Sequence, residues 1–237
     1  MSEKPRFGGV VGGLSSIVDA LTAAARKAGV RIHTGVTVTD VTRKGDRYTV
    51  LSVDGPRRIA DRVILAVPVT ALRSFACLQQ VGLLSHLTMK PLTRIYAQME
   101  SPWCPPKRIV TDSPLRYIIP IRPAEGIVMI SYTESQDTQR YMSLSGDALK
   151  AALAHDLLQL FPDQPVPAIL WARAYEWSDG CSYWLPGSYD PAAASAEALQ
   201  PLPALPNLHL TSESFSLRQA WIEGALEHAA ALFKSIQ

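Results

Sequence analysis

Apolar residues at helical spacing mark three segments of the chain, 14–28, 145–161 and 218–236. Gly29 ends the first helix, and Ser145 is placed to cap the second. The apolar positions of the first segment are Leu14, Ile17, Val18, Leu21, Ala24, Ala25 and Ala28. The inner face predicted for the last segment consists of Trp221, Ala225, Ala229, Leu232, Phe233 and Ile236. A shorter helix is predicted over 191–199.

Alternating and continuous apolar runs predict the strands. Alternation between 36 and 60, broken by turns at 44–46 and 54–55, predicts a three-stranded meander. The continuous run 62–68 predicts a strand that is buried on both faces beside parallel neighbours. The other predicted strands are "VRIHTG" (30–35), "TRIYAQME" (93–100), "RIVTD" (108–112), "RYIIPI" (116–121), "GIVMISYT" (126–133), "AILWARAYEW" (168–177) and "NLHLT" (207–211). Residues 178–190 combine Gly, Asp and Pro with aromatic residues, which favours a loop lining a pocket.

The order of these elements predicts an α+β architecture with two interleaved lobes. One lobe, formed by 7–75 and 200–237, is expected to hold the meander, the buried strands and the C-terminal helix. The other, 76–199, is expected to hold a mixed sheet.

Composition narrows the function classes. The chain has 237 residues, 47% hydrophobic and 19% charged, which is enough apolar material for a core. The net charge of +2 and the absence of a dense Lys/Arg run argue against nucleic acid as a partner. No window reaches the roughly 18 apolar residues of a membrane span, and the N-terminus has no apolar signal core. We therefore expect no membrane association and a cytoplasmic location. Cys77, Cys104 and Cys181 lack metal-type spacing, and no two histidines pair at ligand spacing, so no metal is expected.

Glu213 is the most informative polar residue, because it follows a predicted buried strand and precedes a helix within a Ser-rich turn. A carboxylate there needs hydrogen-bond donors, from a cofactor's hydroxyls or from local amides. The segment is therefore either half of a cofactor site or a well-capped C-terminus. "FGGVVGG" at 7–13 lacks the G-x-G-x-x-G spacing and a preceding strand, so it does not predict a dinucleotide site. No G-x-S-x-G elbow is present to support a serine hydrolase.

Four segments together resemble the flavin-containing amine oxidases of the monoamine oxidase-like group. "LHLTSESFSLRQAWIEGA" (208–225) is similar to the family's strand, A-G-[DE], turn and G-[YW]-x-E-G-A helix start. "GGLSSIVDAL" (12–21) resembles a helix of the family, and 35–72 resembles its meander followed by V-I-x-[AT]-[VI]-P. "WSDGCSYWLPG" (177–187) resembles a loop that carries the flavin-linked cysteine in the monoamine oxidases.

The resemblance implies FAD as cofactor and assigns roles to particular residues. Val38 would contact the adenine side through its backbone, and Glu213 would bind the ribityl–pyrophosphate part. The amides near Trp221 and Ile222 would face the isoalloxazine or the phosphates. Ser212 stands where the family has a glycine, which would crowd a close approach of the backbone to the cofactor.

The resemblance also implies a substrate site. Trp221 matches one aromatic of the family's substrate cage, and the other cage position falls on Ser182, with Tyr183 and Trp184 beside it. Cys181 matches the flavin-linked cysteine, although a small buried apolar residue is an equal interpretation. The lysine that holds a water near the flavin falls on Thr93.

Two functions follow from the resemblance. The first is FAD-dependent oxidation of a small amine or amino acid, with the G-x-G-x-x-G unit supplied by an N-terminal half or a second chain. The alternative is a truncated, catalytically inactive scaffold with a structural or protein-interaction role. The sheet edge and apolar face that truncation exposes would then be covered by a second copy of the chain or by another partner.

Overall fold

The structure is a computed structural model, and it describes residues 10–103 and 107–237. Part of the lead-in at 7–13, and Cys104, lie outside the described residues. The chain contains both α-helices and several β-sheets, which confirms the predicted α+β fold. Within the described ranges, no helix combines the length and the apolar character needed to cross a bilayer.

Five α-helices occur in the described residues, and the long ones lie where the helical period predicts them. They are α1 (Ser15–Lys27), α2 (Val69–Ser74), α3 (Gly146–Leu160), α4 (Pro191–Glu197) and α5 (Ile222–Ser235). Gly29 follows α1 with a φ of +85°, a conformation that favours glycine and ends the helix. Asp190 caps α4 by accepting a hydrogen bond from the Ala192 amide.

The inner face predicted for the C-terminal helix is right for Leu232 but wrong for Trp221 and Phe233. The buried residues of α5 are Gly224, His228 and Leu232, whereas Trp221 and Phe233 are 59% and 62% exposed. A Cβ atom built on Gly224 would lie 2.1 Å from the Arg218 carbonyl oxygen. The helix therefore docks through its smallest residue, and this close backbone approach turns the large aromatics outward.

The strands form a three-stranded sheet, a two-stranded sheet and a five-stranded sheet. They are β1 (Val38–Lys44), β2 (Arg47–Ser52), β3 (Arg58–Ala60), β4 (Val63–Leu65), β5 (Leu87–Met99), β6 (Ile109–Val110), β7 (Tyr117–Arg122), β8 (Ile127–Glu134), β9 (Ile169–Trp184) and β10 (Leu208–Leu210). The first sheet is the predicted meander, β1-β2-β3. The largest sheet is antiparallel throughout, in the order β6-β7-β8-β5-β9.

Strand β4 pairs in parallel with β10, as the continuous apolar run predicts. The prediction that this strand is buried on both faces is wrong, because Ile64 is 47% exposed while Val63 and Leu65 are buried. One face of the two-stranded sheet therefore packs into a buried cluster through Val63 and Leu65, and the other leaves Ile64 half open to solvent.

Residues 30–35 form no strand, contrary to the prediction from "VRIHTG". Their backbone has no ladder partner among the described residues, and their side chains are exposed. Apolar alternation needs a neighbouring strand to become a β-strand, and here none is paired with it.

The aromatic segment 178–190 is not a loop along its first half, because β9 continues to Trp184. β5 and β9 stay paired from Leu87 opposite Trp184 to Met99 opposite Ile169. The Asp179-Gly180 signal marks a bulge, where Leu92 faces Trp177 and Lys90 faces Cys181. Pro91 cannot donate to the ladder at this point, and a Cβ at Gly180 would lie 2.3 Å from the Leu92 Cβ atom.

Two buried clusters form the interior, and the β5–β9 ribbon runs through both. The first gathers the meander, β4, β10 and the turn after β10, with Tyr48 and Phe215 among its largest members. The second packs α3 against one face of the five-stranded sheet, through Leu149, Leu153 and Leu157. The lobe boundaries proposed from the sequence stay a prediction.

Candidate functional site

Glu213 lies in the turn between β10 and α5, and both of its carboxylate oxygens accept hydrogen bonds from the protein. The hydroxyl of Ser182 donates to Oε1 over 2.8 Å, and the Ala220 amide donates to Oε2 over 3.0 Å. Ser182 is fully buried at the end of β9, whereas Glu213 is half-buried. The carboxylate is thus fixed from both sides, while each oxygen retains acceptor capacity for a ligand.

The turn that carries Glu213 is tied to the end of β9 by further hydrogen bonds. Ser214 shares a 2.6 Å contact between its hydroxyl and that of Ser182. Gln219 donates to the Ser214 carbonyl over 2.7 Å and accepts from the Trp184 amide over 2.9 Å. These hydrogen bonds hold the turn between the last strand and the last helix against the end of β9.

Ser212 stands at the glycine position of the resemblance, with φ −172° and ψ 176°. This is extended backbone that any residue adopts, so the local conformation does not require glycine. The hydroxyl accepts a hydrogen bond from the Ser214 amide over 3.1 Å, which caps the short turn that follows.

The first turn of α5 presents backbone amides without a side-chain cap. Trp221 is the N-cap residue and makes no capping hydrogen bond with its side chain. A cleft of about 470 Å³ adjoins this helix start and is lined by Leu217, Arg218, Gln219, Trp221 and Glu223. Two of these lining residues, Leu217 and Trp221, have exposed apolar side chains. Free amides at a helix start favour anions, and exposed apolar groups favour a flat organic ring.

Ala220 sets the entry into this helix with a φ of +65°. For an L-residue with a Cβ, the left-handed region costs about 1–2 kcal/mol. The hydrogen bond from its amide to Glu213 is the contact that holds it there. Nothing in the sequence marks an alanine for this role, which is why sequence reasoning missed it.

Cys181 and Tyr183 lie on the other side of β9 from Ser182, beside Lys90 and Glu134. The Tyr183 hydroxyl donates to Glu134 Oε2 over 2.7 Å, and the Cys181 sulfur lies 3.6 Å from the same hydroxyl. The Lys90 ammonium lies 3.9 Å from the centre of the Tyr183 ring, a cation–π contact. Burial raises the pKa of the Cys181 thiol and of the Tyr183 hydroxyl, so both favour their neutral forms.

Sequence reasoning missed Lys90 and Glu134. The signal that could have found Lys90 is the alternation in β5, where Lys90, Arg94 and Tyr96 share one face and Thr93, Ile95 and Ala97 share the other. Thr93, the position of the family's lysine, is buried on the opposite face from Lys90.

The remaining predicted site residues are placed as follows. Trp184 is half-buried, and its indole donates to the Ser216 carbonyl over 3.2 Å. Ser182 reaches no open surface, because its hydroxyl is enclosed by Glu213, Ser214 and Met89. The structure thus brings Ser182, Glu213 and the α5 start together.

Val38 lies apart from this group, at the beginning of β1. It lines a cavity of about 250 Å³ together with residues of β2. Among the described residues, no hydrogen bond joins it to the group around Glu213. In residues 10–103 and 107–237, no three His, Cys, Asp or Glu side chains come together as a metal site.

Comparison of the sequence with known proteins identifies the family of this chain. No curated protein matches the sequence significantly. The family model described as flavin containing amine oxidoreductase matches residues 3–231, which is nearly the whole chain. The matched range contains both the β9 end and the Glu213–α5 segment, so the chain belongs to the flavin-containing amine oxidoreductase family.

Proposed function

We propose that this protein takes part in FAD-dependent oxidation of a small amine or amino acid. The observation that carries the proposal is the carboxylate of Glu213, fixed by Ser182 and Ala220 beside an uncapped helix start. Family membership supports a flavin as the cofactor. FAD combines ribityl hydroxyls, phosphates and a flat ring, and the groups around Glu213 and the start of α5 suit the hydroxyls and the ring.

The donor and acceptor groups fit FAD part by part. Glu213 is an acceptor for ribityl hydroxyls, because its oxygens each retain a free lone pair. The amides of Ile222 and Glu223, at the uncapped start of α5, would face oxygens of the isoalloxazine. The Arg218 guanidinium beside them is already paired with Glu227 at 3.2 Å. Trp221 and Leu217 would cover the ring and keep water away from it.

A pyrophosphate-binding unit of G-x-G-x-x-G type is not among the sequence motifs of this chain. We infer that this part of the cofactor is held by residues outside those described, in an N-terminal half or in a second chain. The described residues then supply the C-terminal side of the flavin site.

The chemistry that FAD supplies in such a site is acceptance of a hydride from the carbon bearing the amine, which leaves that carbon as an imine. The protein's part is to orient the substrate and to exclude water. Trp221 is one candidate wall of the substrate site. Tyr183 is a second candidate wall. Its hydroxyl donates to Glu134 and its ring contacts the Lys90 ammonium, and these two contacts orient it.

We further infer that the flavin is held without a bond to Cys181. The thiolate is the nucleophilic form of cysteine, and Cys181 is 4% exposed with a raised pKa. Acid precipitation of flavin-loaded protein should therefore release the colour into the supernatant. Colour that stays in the precipitate would show a covalent link.

The test of the function is the visible spectrum of the purified protein, before and after addition of FAD. Under the proposal, a flavin band appears and is bleached without oxygen by an oxidisable amine or amino acid. A protein that stays colourless with added FAD would contradict the proposal for this chain. That result would leave the inactive interaction scaffold as the better hypothesis.

A further inference from the structure

The five-stranded sheet has one short edge and one long edge. On one side it ends in β6, which has only 2 residues. On the other side it ends in β9, which has 16 residues and pairs with β5 alone among the described residues. An edge strand directs about half of its N–H and C=O groups away from its sheet. The long edge is therefore a template for a further strand, whereas the short edge is not.

Residues 171–177 of β9, which we call the open edge, are regular and exposed. Their register with β5 has no bulge, and within the described residues they make no backbone hydrogen bond outside that ladder. Trp171, Tyr175 and Trp177 are 41%, 39% and 44% exposed. Natural proteins protect such edges with proline, lysine or bulges. The open edge has none of the three.

The two charged residues of the open edge are engaged with their own chain. The Arg173 guanidinium lies 5.1 Å from the centre of the Tyr175 ring. The Glu176 carboxylate accepts a hydrogen bond from the Ser143 amide over 3.2 Å. Because alternate side chains of a strand point to opposite faces, these two charges lie on opposite faces of the sheet. Neither of them covers the outward backbone groups.

The open edge is complementary to itself. In an antiparallel pair, residues that lie opposite each other share a face of the sheet. A two-fold axis at Ala174 places Trp171 opposite Trp177 of a second copy, and Arg173 opposite Tyr175 of that copy. The sheet already contains an Arg–Tyr pair of this kind between Arg173 and β5. Aromatic pairs and cation–π pairs each stabilise such an arrangement.

Neighbouring registers match less well. A two-fold axis at Arg173 would place the two guanidiniums opposite each other, and like charges in that position are destabilising. An axis at Tyr175 would place Trp171 opposite Asp179, which lies beyond the bulge and accepts a hydrogen bond from Thr70. The axis at Ala174 is therefore the register that pairs all four exposed side chains of this face.

The chain also exposes more surface than a compact monomer of its mass. Its accessible surface is 15330 Å², whereas a folded monomer of 25.9 kDa exposes about 10,500 Å². A specific interface of standard size covers about 800 Å² on each copy. The additional surface is large enough for such an interface.

From the unprotected edge, its self-complementary register and the additional surface, we propose that two copies of this chain pair antiparallel through their open edges. The two five-stranded sheets then form one continuous sheet across a two-fold axis at Ala174. The assembly closes as a dimer, because the edge that remains free on each copy is the 2-residue strand β6. This interface does not depend on the proposed function, since no flavin contact enters it.

The first test is the oligomeric state of the full chain, measured by sedimentation equilibrium over a dilution series without added FAD. The parent protein should form a dimer. Trp177→Glu should raise the dissociation constant by roughly tenfold or more, because it removes an aromatic pair and buries a carboxylate. The matched control is Phe233→Glu on α5, where the side chain is 62% exposed, and it should dimerise like the parent. A monomer at every concentration, growth into longer polymers, or dissociation by Phe233→Glu alone would overturn the proposal.

The second test reads the register by cross-linking. Directly opposed residues of an antiparallel pair have Cα atoms about 4.5–5.5 Å apart, which a disulfide spans. Ala174→Cys should therefore give a covalent dimer on mild oxidation. The control Ser178→Cys lies on the same strand, but its two copies would be about 27 Å apart in this register and should stay uncross-linked, as should the parent chain. Absence of the covalent dimer in Ala174→Cys, or equal cross-linking of Ser178→Cys, would overturn the proposal even if Trp177→Glu does not fold.

Discussion

Ser182 on β9 and Glu213 in the turn before α5 are joined by a 2.8 Å hydrogen bond between a fully buried hydroxyl and a half-buried carboxylate. The two residues are 31 positions apart in sequence. Their contact ties the long strand that runs through both cores to the segment proposed to bind flavin. The position of Glu213 therefore depends on the sheet as well as on its own turn.

Removing the Ser182 hydroxyl tests this dependence. Ser182→Ala should lower the free energy of unfolding by about 1–3 kcal/mol, because Ser214 and Glu213 lose a buried partner. Denaturant unfolding measures the change. The matched control is Ser178→Ala, on the exposed bulge of the same strand, which should stay within about 0.5 kcal/mol of the parent protein. Equal stability of the two variants would show that the contact does not hold the turn.

Gly224→Ala should destabilise the protein, although the same change in an ordinary helix stabilises it by about 1 kcal/mol. The added Cβ would meet the Arg218 carbonyl at 2.1 Å, and backbone cannot yield as a side-chain end does. The measurement is the melting temperature, together with FAD affinity if flavin binds. Gly82→Ala, where the Cβ meets nothing within 4 Å, is the control and should be neutral or stabilising. A rise in melting temperature for Gly224→Ala would refute the close docking of α5.

Asp156 anchors α3 to the turn that precedes it. Its carboxylate accepts from Arg140 over 2.7 and 3.0 Å and from the buried Tyr141 hydroxyl over 2.8 Å. Asp156→Asn should cost about 1–3 kcal/mol of unfolding free energy, because Tyr141 cannot reach water while Arg140 can. Asp147→Asn in the same helix, where the carboxylate is exposed, is expected to change stability by less than about 0.5 kcal/mol. Similar losses in both variants would contradict this account.

Stability should fall on mild acidification because of two buried histidines. Burial lowers the pKa of His228, whose Nδ1 lies 3.0 Å from the Thr211 hydroxyl, and of His209. The unfolded chain takes up these protons near pH 6.5, where the folded state still keeps both rings neutral. Their contribution is complete above about pH 6.5 and is lost as the pH falls below it.

The measurement is the slope of melting temperature against pH between about pH 7 and pH 5. His228→Asn should flatten this slope, whatever it does to stability at higher pH. A slope unchanged in the variant would show that His228 does not titrate on unfolding.

The sequence predicted the elements whose signals are local. Gly29 ends α1, the turns at 44–46 and 54–55 divide the meander, and the apolar period outlines α3. The fold class and the family followed from such segments. Glu213 could be singled out because the apolar patterns on either side predict a buried strand before it and a helix after it.

What the sequence could not supply depends on pairing between distant segments. Asp179-Gly180 carries the same signal for a loop and for a bulge, and only the pairing with Pro91 on β5 decides between them. Likewise, Trp221 and Phe233 look like the inner face of α5 until Gly224 meets the Arg218 carbonyl. Lys90 and Glu134 were missed because each contacts Tyr183 from a different strand, and only the sheet register brings the three residues together.

The central claim is that Glu213 and the start of α5 form one side of a flavin site, and an FAD titration of the purified chain tests it most directly. Quenching of flavin fluorescence should saturate for the parent protein and for Glu125→Gln, a distant exposed control. Glu213→Gln should weaken the affinity by roughly tenfold or more. No saturable quenching by the parent protein, or equal affinity for Glu213→Gln, would contradict the account.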